Sequence, residues 1–240
     1  MSTIPLGGTA VGNGINCPRN VVKQAIVFLQ RWTKIKFTIA KNRFALIASH
    51  DTLVLVSNTL KVLATSLYKI ANDLRWASSG PVGGIGELIL PSNEPGSSIM
   101  PGKVNPTQCE SLMMIALQII GNDLTISMAN SQGNFELNTF NPLIIYNLRQ
   151  MIELLSDGAK NFATLVLHKI KINRTKNEEL LKRTASFAAI FNSLLGYDKM
   201  AKAVKYAAEN EISLKKAILD LGYLTETVYE EHLKQVIGKK

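Results

Sequence analysis

The chain has 240 residues, 46% of them apolar and 19% charged, and carries a formal net charge of +9. This composition is typical of a folded protein with one sizeable core and excludes a disordered chain. The basic residues are spread over several segments and no aromatic stacking motif lies among them, which argues against nucleic-acid binding. The charge instead favours a solvated, lysine-rich surface that can steer an anionic substrate.

The sequence predicts neither a secretory leader nor a membrane span. Residues 1–5 contain no basic head and no apolar stretch of the kind a leader needs. The longest apolar runs, such as residues 112–120, are far shorter than the ~20 residues that cross a bilayer. We therefore expect a cytoplasmic protein with no membrane partner.

The cysteines and histidines do not predict a metal site. Cys17 and Cys109 lie far apart and have no second cysteine or histidine at ligand spacing. His50, His168 and His232 are widely separated, and His50 beside Asp51 is most simply part of a helix start. We expect reduced cysteines, no metal and no cofactor.

Apolar residues recur in steps of three and four along most of the chain, which predicts helices. The predicted long helices cover residues 20–36, 50–78, 107–130 and 141–168. Helices of this length, with no strand alternation between them, predict an all-α fold built as a long-helix bundle. Several are apolar around much of their circumference, which favours burial against further chains as well.

Shorter helices follow a boundary near residues 171–175. Three are predicted, over residues 178–195, 199–210 and 213–221, with Gly196 and Gly222 as stops. We therefore predict two domains. Residues 1–172 form part of the bundle, including the loop 96–105, and residues 173–240 form a small helical C-terminal domain.

The longest irregular run lies between the second and third long helices. Residues 80–86 contain four glycines and one proline, which forbids regular structure there. The run continues from that break to Asn105. A long irregular segment inside a compact domain is usually functional, so the candidate site is sought here.

The end of this run combines glycines with polar side chains. Gly96 and Gly102 allow the backbone to bend closely around a ligand, and Pro106 suits the first position of the next helix. The free N–H groups of that helix start, together with Lys103, favour an anion. The loop therefore predicts a carboxylate or phosphate pocket.

Two common phosphate-binding motifs are excluded. A P-loop needs four residues between its glycines and a hydroxyl after its lysine, whereas five separate Gly96 from Gly102 and Val104 follows Lys103. The run beginning Gly12-Asn13-Gly14 lacks the last glycine of a dinucleotide fingerprint and follows no predicted strand.

Residues 96–106, Gly-Ser-Ser-Ile-Met-Pro-Gly-Lys-Val-Asn-Pro, resemble the signature of the fumarase/aspartase superfamily, and Thr-Gln-Cys-Glu at 107–110 resembles class II fumarate hydratase. Other matching segments, in the family's order, are residues 7–12, 48–51, 69–76, 131–136 and 196–199. The resemblance spans essentially the whole chain and implies reversible hydration of fumarate to L-malate without a cofactor.

The resemblance also implies roles for single residues. Ser97 would be the catalytic base, and Glu110 would hydrogen-bond a catalytic histidine from another segment. The substrate would be bound by residues of the same loop: Ser98, Lys103, Val104 and Asn105.

The residues themselves leave plainer interpretations open. Ser97 and Ser98 are also typical of a turn that bonds its own backbone, and Lys103 of an exposed lysine. Asn105 before Pro106 is also typical of a helix cap. Glu110 in the first helical turn is favoured by the helix dipole in any protein.

The resemblance covers the second half of the family's pattern only. Its Thr-His pair and Ser-Ser-Asn loop precede the segment that residues 7–12 resemble, and its active site is assembled from three subunits of a homotetramer. We therefore expect no activity from this chain alone. A non-catalytic helical assembly remnant and an aspartase-like ammonia-lyase stay open as alternatives.

Overall fold

The computed structural model describes residues 2–80 and 83–238. Pro81 and Val82, in the predicted break at 80–86, lie outside the described residues. The chain divides into two compact units, and each is described by itself. Unit 1 comprises Met1–Ser79 and Leu90–Ile170, and unit 2 comprises Gly80–Ile89 and Lys171–Lys240.

Unit 1 is built around three long helices. Its elements, in chain order, are β1 Thr3–Ile4, α1 Arg19–Thr33, β2 Thr38–Ile39, α2 Arg43–Ala48, α3 Asp51–Ala77, α4 Thr107–Asn130 and α5 Asn141–Phe162, the last continuing as a π-helical turn, Ala163–Leu167. The strands β1 and β2 pair in parallel, with Thr3 opposite Thr38.

Helices α3, α4 and α5 pack against one another along their lengths. The core between them includes the fully buried side chains of Ala64, Ile119, Ile144 and Met151. Gly158 of α5 allows close approach to α4, because a Cβ there would lie 2.7 Å from Ile115 Cδ1. This packing places the start of α4, where the candidate loop ends, on a rigid support.

A single amide side chain closes the corner between α4 and α5. Asn138 is 1% exposed, and its Nδ2 donates to the carbonyls of Ala129 at 3.0 Å and Gln132 at 2.8 Å. Its Oδ1 accepts from Phe140 N at 2.9 Å. The buried amide thus satisfies backbone groups that the chain reversal would otherwise leave unpaired.

Unit 2 is a cluster of short helices. Its elements are β3 Leu88–Ile89, β4 Lys171–Ile172, α6 Arg174–Arg183, a 3₁₀ turn Ala185–Phe187, α7 Ala188–Leu195, α8 Tyr197–Glu209, α9 Leu214–Asp220 and α10 Glu226–Ile237. Strands β3 and β4 are antiparallel, with Leu88 opposite Ile172.

The core of unit 2 surrounds one aromatic pair. Phe191 is fully buried and stacks on Tyr229 with 4.5 Å between the ring centroids. The starts of α9 and α10 are capped by side chains, since Ser213 Oγ accepts from Lys216 N and Thr225 Oγ1 from Val228 N. The unit therefore has its own hydrophobic core.

The all-α fold class is confirmed, since ten α-helices and only four two-residue strands cover the described residues. The prediction of one helix over 178–195 is wrong. Helix α6 starts earlier and ends at Arg183, where Thr184 turns to an extended conformation, and Thr184 Oγ1 accepts from Ser186 N at 3.2 Å. This side-chain bond competes with the helix. Helix α2 and the four strands were not predicted, and of α10 only the start at Thr225 was indicated by the sequence.

By length and composition alone, α3 and α4 could cross a membrane. This is weak evidence, because the core helix of a soluble protein passes the same test. Between the two helices, Ser57 Oγ donates to Asp123 Oδ1 at 2.5 Å, and both side chains are buried. The two helices therefore share a polar contact within the packed unit.

Candidate functional site

The loop before α4 surrounds an open cavity of about 460 Å³. Its lining residues are Ser92, Asn93, Glu94, Pro95, Gly96, Ser97, Gly102 and Lys103. Two of the residues predicted to act on a substrate, Ser97 and Lys103, therefore line the same cavity. Glu94 adds a carboxylate to the wall, which opposes an anion there.

The loop is closed by a contact between its two ends. Asn105 Nδ2 donates to the carbonyl oxygen of Gly96 at 2.6 Å. A Cβ on Gly96 would lie 2.0 Å from the carbonyl oxygen of Lys103, so only glycine fits at this point. The alternative interpretation of Asn105 as a helix cap is not what the structure has, because α4 begins without a side-chain cap.

The hydroxyl of Ser97 is held by backbone amides. Its Oγ accepts from the N–H groups of Ile99 and Met100, both at 3.1 Å, and the residue is half-buried. Two donors on one oxygen stabilise negative charge on that oxygen. An ordinary serine turn has the same two hydrogen bonds. The geometry therefore fits Ser97 both as a catalytic base and as a plain turn residue.

Lys103, Ser98 and Val104 lie on the exposed side of the loop. Gly102 has φ +77°, and Lys103 N donates to Met100 O at 3.3 Å, which makes a tight turn directly before the lysine. Among the described residues no carboxylate forms a salt bridge with Lys103. Its ammonium is thus available to an anion from solution.

The start of α4 coincides with the predicted range, but Pro106 does not take the first helical position expected of it. The helix begins at Thr107, and Pro106 occupies the N-cap position. Glu110 lies in the first turn, where the helix dipole favours a carboxylate. Its Oε1 is 3.6 Å from Nε of Arg75, and both side chains are about half exposed. Within the described part of the chain, Glu110 therefore pairs with an arginine and not with a histidine.

Cys109 behaves as a buried apolar residue. It is fully buried beside Leu112 and Phe162, and burial, with a smaller contribution from Glu110, raises the pKa of its thiol to about 11. A thiol that stays protonated is a poor nucleophile or metal ligand. Within the described residues no three His, Cys, Asp or Glu side chains lie close enough to hold a metal ion.

Asn93 is a site residue that the sequence reasoning missed. Its Nδ2 donates to Gln108 Oε1 and to the carbonyl of Leu165, both at 3.1 Å. It thus ties the cavity wall to α4 and to the π-helical turn. The signal was present in the polar run Ser92-Asn93-Glu94 ahead of Pro95-Gly96, but nothing in it indicates the distant partner Leu165.

His50 occupies the N-cap position of α3, which agrees with its interpretation as part of a helix start. Its backbone N donates to Asn130 Oδ1 at 2.6 Å. The neighbouring Asp51 accepts from Ser49 and Asn130, and these bonds lower the pKa of its carboxyl. The start of α3 is therefore hydrogen-bonded to the end of α4 through the side chain of Asn130.

Fold and sequence together define the class. A family model described as Lyase matches residues 2–121, and the chain belongs to this lyase family. Its relatives include two proteins named fumarate hydratase class II. That of Thermosynechococcus vestitus is 47% identical over 239 residues, which are 99% of this chain and 51% of the relative. That of Wigglesworthia glossinidia brevipalpis is 47% identical over 242 residues, which are 100% of this chain and 52% of the relative.

Solved structures agree with this assignment. The class II fumarase from Schistosoma mansoni has a TM-score of 0.90 and 38% identity, covering 100% of this chain and 54% of that one. The fumarate lyase:delta crystallin from Brucella melitensis bound to cobalt also has a TM-score of 0.90, at 36% identity, covering 97% of this chain and 50% of that one. The chain thus spans about half the length of the relatives it matches.

Proposed function

We propose that this chain supplies the loop of Ser97 and Lys103 to a class II fumarate hydratase, which interconverts fumarate and L-malate. The observation that carries the proposal is the pair of backbone amides, at 3.1 Å, on Ser97 Oγ in the cavity that Lys103 also lines. The similarity to proteins named fumarate hydratase class II supports the choice of substrate.

The chemistry requires a base and a fixed set of donors. In the dehydration direction, the Ser97 alkoxide takes the proton from the carbon next to one malate carboxylate, and the C–H electron pair passes into that carboxylate. The adjacent C–O bond then breaks as the C=C bond forms, and the oxygen leaves as water after taking up a proton. Serine needs stabilisation of its alkoxide to act as a base, and the N–H groups of Ile99 and Met100 supply it.

The remaining residues of the loop bind the dianion. The ammonium of Lys103 and the hydroxyl of Ser98 are donors for a carboxylate that gains charge in the transition state. Asn105 uses one Nδ2 hydrogen on Gly96, so Oδ1 and the second Nδ2 hydrogen are what it offers to the substrate. Val104 would contact the substrate's carbon chain, and Glu110 would hold a histidine from a segment outside this chain.

The proposal extends to the assembly. The family resemblance implies a homotetramer, with residues 1–172 as part of the bundle and 173–240 as the C-terminal domain. We place it in the cytoplasm because the sequence predicts no leader and reduced cysteines. The apolar outer faces of the long helices support association with further chains. The acid that protonates the leaving hydroxyl is not assigned to this chain, so the chain alone is expected to be inactive.

The test is fumarate hydration, followed by loss of ultraviolet absorbance, with the chain alone and with the first half of a relative supplied in trans. We expect turnover only in the second case. There, Ser97→Ala should lower kcat by about 10²-fold or more, the usual contribution of a general base. Ser66→Ala, on the exposed side of α3, is the matched control and should leave kcat unchanged. Equal activity of the two variants would contradict the role of Ser97.

The same assay separates the alternatives. A non-catalytic remnant predicts that no supplied segment restores turnover. An aspartase-like enzyme predicts release of ammonia from L-aspartate, with L-malate inert, in the completed assembly.

A further inference from the structure

The basic residues are spread along the chain, but its net charge is not. Residues 1–50 contain seven lysines and arginines and no aspartate or glutamate, so they carry +7 of the formal net charge of +9. The other 20 basic side chains and all 18 acidic ones lie in the rest of the chain, where they nearly cancel. Among the described residues, none of the seven takes part in a salt bridge. Their charge is therefore left to an anionic partner.

Helix α1, which lies in this segment, also exposes apolar side chains. Its inner side is packed on the preceding loop, because Val22 is buried and a Cβ on Gly7 would lie 2.5 Å from Val22 Cγ2. Its outer side presents Val21, Phe28 and Trp32, which are 51%, 66% and 76% exposed. These three side chains lie within an arc of about 40° around the helix axis. They form one apolar stripe along α1.

Cations lie beside this stripe. Lys23 and Arg31 line an open groove of about 470 Å³ on α1, together with Gln24, Val27 and Phe28. Lys34 and Lys36 follow at the end of the helix, and both are exposed. A helix with exposed aromatic residues on one stripe and lysine or arginine beside it is typical of helices that lie in the headgroup layer of a bilayer. Tryptophan is enriched at that depth.

We infer that α1 docks unit 1 on an anionic lipid surface, with Phe28 and Trp32 inserted at the acyl boundary and Lys23 and Arg31 on lipid phosphates. The charge selects an anionic surface. The aliphatic Val21 beside the two rings favours a bilayer over a nucleic acid, which offers phosphates and base faces but no apolar layer.

This inference departs from the expectation that the chain has no membrane partner. That expectation was drawn from the absence of a predicted leader and span, and a helix that lies on the surface of a bilayer needs neither. The cytoplasmic leaflet is anionic, so the inference agrees with the proposed location. It does not depend on the proposed hydratase activity.

Vesicle flotation of the full chain tests the inference. We expect the chain to float with vesicles of phosphatidylglycerol and phosphatidylcholine and not with vesicles of phosphatidylcholine alone. Salt at about 1 M should release it, because the Debye length falls to about 3 Å. In a Trp76→Phe background, Trp32 is the single tryptophan. Its fluorescence should shift to the blue on the anionic vesicles, since the ring leaves water.

Two double variants separate the charge from the apolar stripe. Lys23→Glu with Arg31→Glu should weaken vesicle binding at least about tenfold, because each basic residue near an anionic surface contributes about fivefold. Phe28→Ala with Trp32→Ala should weaken it about tenfold or more through lost apolar burial. All four side chains are exposed or line the open groove, so circular dichroism should show unchanged helicity.

Matched controls lie in unit 2. Lys202→Glu with Lys216→Glu makes the same change of charge at two exposed positions, and Tyr197→Ala removes a ring that is 77% exposed. Both should leave vesicle binding unchanged. An effect as large as that of the α1 variants would overturn the inference, because binding would then follow total charge or apolar exposure.

Three further results would also overturn it. The first is equal binding to vesicles with and without phosphatidylglycerol. The second is tighter binding to an RNA oligonucleotide than to the anionic vesicles, which would assign the charge to a nucleic acid. The third is a parent chain that ignores vesicles but self-associates, with association lost in the Phe28→Ala and Trp32→Ala double variant. That result would assign the stripe to a second protein chain.

Discussion

Ser97 is placed so that its hydroxyl oxygen accepts two backbone hydrogen bonds at the edge of the open cavity. The N–H groups of Ile99 and Met100 donate these bonds, and they belong to the turn that ends at Gly102. The loop could be located from its glycines and prolines, because these residues interrupt the helical pattern on either side. Which backbone groups reach Ser97 could not be predicted, because this depends on the conformation of every residue in the turn.

Gly96→Ala should damage the site without affecting the helices. A Cβ at residue 96 meets the carbonyl of Lys103 at 2.0 Å, so the loop has to open and the bond from Asn105 is lost. We expect kcat/KM of the completed assembly to fall at least about tenfold, as misplacement of catalytic groups commonly costs. Gly102→Ala is a milder comparison, since nothing lies within 4 Å of a Cβ there and only the left-handed backbone is strained. A larger loss for Gly102→Ala would contradict this account.

The two cysteines should differ sharply in reactivity. Cys17 is half-exposed, whereas Cys109 is fully buried and the pKa of its thiol is raised to about 11. Alkylation of the native chain near neutral pH, followed by peptide mass spectrometry, should label Cys17 alone. Since the folded pKa lies above the unfolded one, the associated stability is complete below about pH 9 and is lost as the pH rises toward 11. Labelling of Cys109 at the rate of Cys17 would show that unit 1 opens.

At the scale of elements, α3 and α4 are joined by a charge that is almost entirely buried. Asp123 is 3% exposed, and its two oxygens accept from Ser57 Oγ and Lys61 Nζ, each at 2.5 Å. The Lys61 side chain is 35% exposed and also donates to Asn58. Helix periodicity indicates which face carries these residues, but a buried aspartate among apolar neighbours gives no sign of its partner in another helix.

Asp123→Asn should destabilise the chain by about 1–3 kcal/mol, because it weakens two charge-assisted bonds in a buried site. The measurement is the free energy of unfolding from urea titration. Asp73→Asn is the matched control, because it breaks an exposed pair with Lys69 and should change stability by less than about 0.5 kcal/mol. Equal effects of the two substitutions would mean that the buried pair contributes no more than a surface pair.

Two of the four long helices were predicted to within a residue, since their apolar spacing persists over many turns, whereas the predicted 20–36 overran the end of α1 at Thr33 by three residues. The predicted 107–130 is α4 itself, and 50–78 differs from α3 by one residue at each end. The end of α5 was not predictable in form. His168 N bonds Ala163 O, five residues back, and this π-helical turn leaves no mark in the hydrophobic pattern. The end of α6 before Thr184 was also not predictable, because it depends on a single hydrogen bond from Ser186 N to Thr184 Oγ1.

At the scale of the whole molecule, the domain limits predicted from sequence can be tested by local stability. Phe191→Ala removes a fully buried ring that stacks on Tyr229 and should cost unit 2 about 3–5 kcal/mol. Segment-resolved hydrogen exchange should then show faster exchange in α7–α10 and unchanged protection in α3–α5. Ile119→Ala, in the core of unit 1, should give the reverse pattern. A loss of protection that spreads over both units in either variant would contradict two separate cores.

The connection between α7 and α8 in unit 2 does not accommodate an inserted residue. Gly196, with φ +79°, is at once the C-cap of α7 and the N-cap of α8. A single inserted residue at this corner would turn the phase of α8 by about 100°, the angle between successive helical residues. Met200 and Ala203, now fully buried, would then rotate toward solvent. Chains that share this core can therefore vary in the sequence of α8 but not in the number of residues that precede it.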